Sequence, residues 1–149
     1  MSEQLRIVIG FSANWWKNPA EYGIYLNGQC LERSTANKVF EPISKVVGGQ
    51  AQDGWNELKF RLEKKTAEDM LRADDGTVIR NTYLNLNKIV INDVGYPQPE
   101  LLRLNGAWYK DSDIVNPIKG FIIYEPGSFV FKFKSPVAYW HLENCNLNL

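Results

Sequence analysis

Asn27-Gly28 separates two short segments in which apolar and polar side chains alternate with a period of two. An Asn-Gly pair in that setting specifies a two-residue turn, because a type I′ turn needs positive φ at both central residues. Residues 22–26 and 29–33 are therefore expected to form an antiparallel hairpin. The same period runs through Leu5, Ile7, Ile9 and Phe11, with Arg6, Val8 and Gly10 on the other face. It returns in Leu58, Phe60 and Leu62 against Glu57, Lys59, Arg61 and Glu63, and in Phe129, Phe131 and Phe133 against Val130, Lys132 and Lys134. Alternation of this kind marks strands with one face on a core and the other toward solvent.

Between these strands the signals are less regular. Residues 38–47 read as a strand interrupted by Pro42, which belongs at an edge or a bulge. Gly48-Gly49 and Asp53-Gly54 bracket a loop, and residues 82–94 read as a further strand. Residues 64–81 form a long excursion in which Thr66 and Asp69 are placed to cap one helical turn. Tyr96-Pro97-Gln98-Pro99 predicts an irregular, extended connection, and residues 101–119 show no clear period. Residues 121–124 and 128–134 predict a second hairpin through Glu125-Pro126-Gly127. Ser135-Pro136 then reads as an N-cap followed by proline at the first helical position, opening a short helix over 135–144. About eight strands at this spacing imply an all-β fold, an antiparallel β-sandwich or jelly roll with a short C-terminal helix. The chain of 149 residues is expected to form one domain, 1–149.

Composition removes several function classes. Seventeen basic residues balance seventeen acidic ones, so no nucleic-acid partner is expected. No segment reaches the roughly 18 apolar residues of a membrane span, so no membrane partner is expected either. Met1-Ser2-Glu3-Gln4 is polar and acidic, unlike a secretory signal, which points to synthesis in the cytoplasm. Cys30 and Cys145 fit no metal or redox spacing and are expected to be reduced thiols.

No catalytic set emerges. His141 is the one histidine, and a nucleophile-base pair would have to use it without any nucleophile motif nearby. Zinc would need several His or Cys ligands. Gly48-Gly49 lacks the helix and the Lys-Ser/Thr pair of a phosphate loop. Glu68, Asp69, Asp74 and Asp75, with Asn81 after them, are the nearest approach to a calcium site. Asp-Asp-Gly is also ordinary turn chemistry, and the spacing matches no standard calcium loop. The expectation is no enzyme, no metal and no cofactor.

Aromatic residues make up 13% of the chain, more than one core of this size needs. Trp15-Trp16 falls between strands among Asn14, Lys17, Asn18 and Pro19, and Trp108-Tyr109 in another irregular stretch. Adjacent residues of an extended chain point to opposite faces, so one ring of a pair is left for something else. Trp15, Trp16, Trp108 and Tyr109 are thus the candidate binding or interface residues. Three roles stay open for them: capping the open ends of the sandwich, anchoring a protein interface, or stacking on a sugar.

Two resemblances follow from particular residues. The Asn-Gly hairpin, the Leu58-Lys59-Phe60-Arg61-Leu62 strand and the Leu84-Asn85-Leu86-Asn87-Lys88-Ile89-Val90-Ile91-Asn92 strand, over about residues 5–94, look like the jelly-roll carbohydrate-binding modules. The whole chain also resembles small virion-associated proteins of tailed bacteriophages. That likeness rests on Tyr22-Gly23-Ile24-Tyr25-Leu26-Asn27-Gly28, a glycine-centred hairpin and the closing run from Ser135-Pro136 to Tyr139-Trp140 and Leu142-Glu143-Asn144. The second resemblance implies a non-enzymatic virion subunit of capsid surface, tail or baseplate, present in many copies or as a homo-oligomer among other virion proteins. The first implies a module that recognises a host or surface glycan. A divergent glycan-active enzyme is the third reading.

Overall fold

The computed structural model describes residues 2–145, so Met1 and residues 146–149 of the expected domain lie outside it. The chain begins with β1 (Gln4–Asn14), β2 (Glu21–Leu26), β3 (Gln29–Thr35), β4 (Ile43–Gln50) and β5 (Gly54–Leu62). A 3-10 turn over Ala67–Asp69 precedes β6 (Leu71–Arg72) and β7 (Val78–Arg80). Then come β8 (Tyr83–Ile91), β9 (Val94–Pro97), α1 (Gln98–Arg103), β10 (Ala107–Lys110) and β11 (Asp113–Ile118). The described chain closes with β12 (Ile122–Ile123), β13 (Gly127–Ser135) and α2 (Val137–Asn144).

These strands make a sandwich of two antiparallel sheets. One has the order β12-β8-β1-β4, with β9 also paired to β8, and the other has the order β11-β10-β13-β5-β2-β3. Among the described residues β6 and β7 pair only with each other. The inward rows meet as the alternation requires: Ile7, Ile9, Ile24, Leu26, Leu58, Phe60, Leu62, Phe129, Phe131 and Phe133 are all buried. Phe11 of one sheet lies 4.9 Å, centroid to centroid, from both Tyr22 and Phe60 of the other. Such aromatic contacts add to the area they bury.

The Asn27-Gly28 hairpin forms as expected, with φ of 50° and 83° at its two central residues. Other expectations need correction. The described residues form thirteen strands, not about eight, because the long connections carry short paired segments of their own. The strand expected over 38–47 starts only at Ile43, after Pro42, and continues through Gly48-Gly49 to Gln50. The strand expected over 82–94 breaks at Asn92-Asp93, where φ of 48° and 67° makes a second tight turn into β9. Tyr96-Pro97-Gln98-Pro99 is not a plain extended link, since Pro97 caps α1.

The second hairpin does not form. β12 pairs with β8 in one sheet, while β13 pairs with β5 and β10 in the other, so residues 124–126 cross between layers. Gly127 is needed there for room: a Cβ at that position would collide with the Tyr109 carbonyl and Lys110 Cα of β10. Ser135 is not the N-cap of α2 either. Pro136 holds that position, and Glu3 Oε1 accepts both the Val137 N–H at 3.0 Å and the Ser135 hydroxyl at 2.9 Å. A carboxylate at a helix N-terminus satisfies a donor that the helix itself leaves unpaired.

Candidate functional site: a groove across the outer face of the six-stranded sheet

The outward rows of β5 and β13 lie side by side in register, Trp55 opposite Lys134, Glu57 opposite Lys132, Lys59 opposite Val130 and Arg61 opposite Ser128. β10 pairs only with Gly127–Val130 of β13. Beyond that point α2 packs on β13 in its place, and Trp140 sets its indole against Phe131, Phe133 and Tyr96 at 5.9–6.5 Å. The change from strand to helix at this edge leaves a cleft of about 770 Å³, bordered by Trp55, Glu57, Tyr109, Lys132, Arg103 and Asn105. A smaller extension of about 450 Å³ continues past Glu57, Tyr109, Val130 and Lys132 to Asp111, Ile114 and Val115. Its volume is that of a small-ligand site.

Two polar networks set the shape. At one end Asn56 is 2% exposed and fully engaged. Its Oδ1 accepts from Asn27 Nδ2 and the Gln52 N–H, each at 2.9 Å, and its Nδ2 donates to the Gln52 and Gly54 carbonyls at 3.0 Å. Asn27 Oδ1 accepts the Glu57 N–H at 2.8 Å, so the hairpin tip is tied to the start of β5. At the other end Arg61 donates to both carboxylate oxygens of Asp111, at 2.9 and 2.8 Å, and to Ser128 Oγ at 2.6 Å. That fork holds the β10–β11 turn over the sheet, and the guanidinium keeps the Asp111 carboxyl below its ordinary range. Next to it Tyr25 donates to Glu63 Oε1 at 2.7 Å, which pushes the phenol up to about 12.

Trp55 is the aromatic that this groove displays, with 54% of its surface exposed. Lys134 lies 5.0 Å over its ring and Trp140 stands edge-on at 6.4 Å, so the indole is held in place. The residues singled out from the sequence are scattered. Tyr109 borders the groove, pointing outward from β10 opposite Ser128. Trp108 points the other way, opposite Phe129, and is 1% exposed, with Tyr124 edge-on at 5.0 Å. Its ring fills the core and presents no surface to a partner. Trp15 and Trp16 sit half-buried in the connection that follows β1, outside the groove's lining, with both indole N–H groups buried and unpaired among the described residues. Trp55 was missed, although parity placed it: it stands on the polar row of β5 with Glu57 and Lys59.

The acidic excursion does not gather. Asp69 accepts the Thr66 N–H at 2.7 Å, Asp75 accepts the Thr77 N–H at 2.9 Å, and Glu68 pairs with Lys17 at 3.9 Å. Among the described residues no three His, Cys, Asp or Glu side chains come together to hold a metal ion. His141 stands edge-on to Tyr96 at 5.7 Å. Cys30 and Cys145 are unbridged. No helix among the described residues is long and apolar enough to cross a membrane.

No protein-family model matches this chain, and no curated protein matches it. Two solved structures share its fold. One is vCBM60 in complex with galactobiose, at a TM-score of 0.51 and 10% identity over 85% of this chain and 96% of that one. The other is a selenomethionine form of vCBM60, described with a circular permutation that links two families of calcium-dependent carbohydrate binding modules. It has a TM-score of 0.50 and 11% identity over 85% of this chain and 89% of that one. Of the two resemblances seen in the sequence, the fold sides with the carbohydrate-binding modules. Neither solved structure is a virion protein.

Proposed function

We propose that this chain is a non-catalytic carbohydrate-binding module whose groove on the outer face of the six-stranded sheet takes a glycan. The observation that carries the reading is Trp55, an exposed and braced indole in a groove that also offers amide, phenol, carboxylate and ammonium groups. A pyranose presents an apolar face for stacking and hydroxyls at its rim, and such a surface answers both. The fold shared with vCBM60, which binds galactobiose in one of the solved structures, supports it. The absence of catalysis belongs to the same proposal: His141 has an aromatic neighbour and no hydrogen-bonded nucleophile among the described residues.

The calcium dependence of those modules does not carry over to this groove, because its lining brings only Glu57 and Asp111 as carboxylates, and Asp111 is taken by Arg61. The virion reading has no structural relative behind it. The test is a glycan array followed by titration calorimetry on the best ligand. Trp55→Ala is expected to abolish binding with circular dichroism unchanged, while Trp15→Ala and Trp16→Ala bind as the parent. Full affinity in Trp55→Ala, or no glycan bound by the parent protein, sinks the reading.

A further inference from the structure

The chain is neutral overall, yet the groove is not. Four cationic side chains, Lys59, Arg61, Arg103 and Lys132, line its two parts against the two carboxylates of Glu57 and Asp111. Three of the cations are matched: Lys59 to Glu57 at 3.4 Å, Arg61 to Asp111 at 2.8 Å and Arg103 to Glu100 at 2.6 Å. Lys132 is not. It stands opposite Glu57 in the register of β13 and β5, but Glu57 is engaged by Lys59, and no carboxylate of the described residues lies within 4.0 Å of the Lys132 ammonium. Lys132 borders both parts of the groove, so this unmatched charge sits at its middle rather than at a rim. Beyond Trp55, Lys134 adds a second ammonium, which lies over the indole face and forms no ion pair with the described residues. Close by, the Tyr109 hydroxyl and the Asn105 amide make no hydrogen bond with the described residues, so both remain for a ligand.

From this arrangement we infer that the ligand of the groove is an acidic glycan, a sugar bearing a carboxylate or sulfate that pairs with Lys132 while a neighbouring ring stacks on Trp55. The inference rests on the carbohydrate-binding reading and deepens it. Lys132 is exposed, so its attraction for an anion is screened by salt, but no neighbouring carboxylate competes with a ligand for it. A single such charge does not suit a polyphosphate backbone, which is gripped through many cations at once. Spaced charges on a sugar chain fit one central ammonium with a second beyond the stacking ring.

The deciding experiment is an array carrying neutral, uronate-bearing, sialylated and sulfated glycans, probed with the full chain and with Lys132→Met. Lys132 is solvent-facing, so the variant keeps its fold, and Lys88→Met on the opposite sheet serves as the control. Capture is expected on acid-bearing spots, weakened about tenfold in Lys132→Met, as befits loss of a charge-assisted hydrogen bond. It is unchanged in Lys88→Met and falls as salt rises from 0.05 to about 0.5 M, where screening shortens below the groove's own dimensions. The carboxylate and sulfate arms show which anion is read, and for a uronate the methyl ester of the same sugar should lose what Lys132→Met loses. Capture of neutral glycans alone, or equal capture by the parent and Lys132→Met, overturns the acidic ligand and leaves the carbohydrate-binding reading standing. No capture on any spot overturns both.

Discussion

Arg61 and Asp111 are joined by two parallel hydrogen bonds of 2.9 and 2.8 Å, across 50 residues of sequence, and that fork sets the height of the groove wall. Asp111 is about half exposed, so solvent limits its contribution to roughly 1 kcal/mol or less. The folded pKa of Asp111 is depressed, so its share of stability is present above the ordinary value of 3.8 and is lost as pH falls through the lower folded value. Asp111→Asn should therefore lower the urea midpoint slightly at neutral pH. The gap between variant and parent should close in strong acid, well below 3.8, and a gap that persists there would deny the pair its role.

Gly28 has a φ of 83° and nothing within 4 Å of where a Cβ would stand, so any penalty on substitution is torsional. Gly28→Val is expected to cost about 1–2 kcal/mol. Gly28→Asn should cost less, because asparagine visits positive φ more readily. Urea titration with equal slopes for both variants would check it, and equal losses would mean that the turn is not what is being strained.

Phe131 is fully buried between Tyr96 at 5.2 Å and Trp140 at 5.9 Å, so it ties both sheets to α2. Phe131→Ala should cost about 3–5 kcal/mol. Because Trp140 loses a neighbour, near-ultraviolet circular dichroism should fall more than the far-ultraviolet signal. A loss below about 1 kcal/mol would place the ring outside a close-packed core.

Chelation gives a separate reading. With no cluster of metal-ligating side chains among the described residues, EDTA should leave both the thermal midpoint and the glycan affinity unchanged. A drop in either, reversed by added calcium, would restore the ion that the vCBM60 description attaches to its own family.

The strands with the cleanest alternation were legible because pleating is local: Leu58, Phe60 and Leu62 must face one way if Glu57, Lys59 and Arg61 face the other. The Asn27-Gly28 turn was legible for a like reason, since φ is a property of single residues. Trp55 belongs to the same logic, and its place on the polar row of β5 was there to be read.

Trp108 and Tyr109 show where that reach ends. Alternation says that the two rings part company, but only the pairing of Trp108 with Phe129 and Tyr109 with Ser128 decides which goes inward. Likewise residues 121–124 look like the first arm of a hairpin, yet Ile122 and Ile123 pair with Asn85 and Leu84 in the other sheet. Glu3 caps a helix 134 residues away, and no local signal announces that partner. The sequence by itself determined which residues alternate, where the tightest turn falls and that the layers are β, because these follow from torsions and from the two faces of a pleated strand. The tertiary structure alone decided which strands meet, and so where β10 gives way to α2 and opens a groove beside an unmatched lysine. Contacts between residues far apart in the chain depend on how the whole core packs.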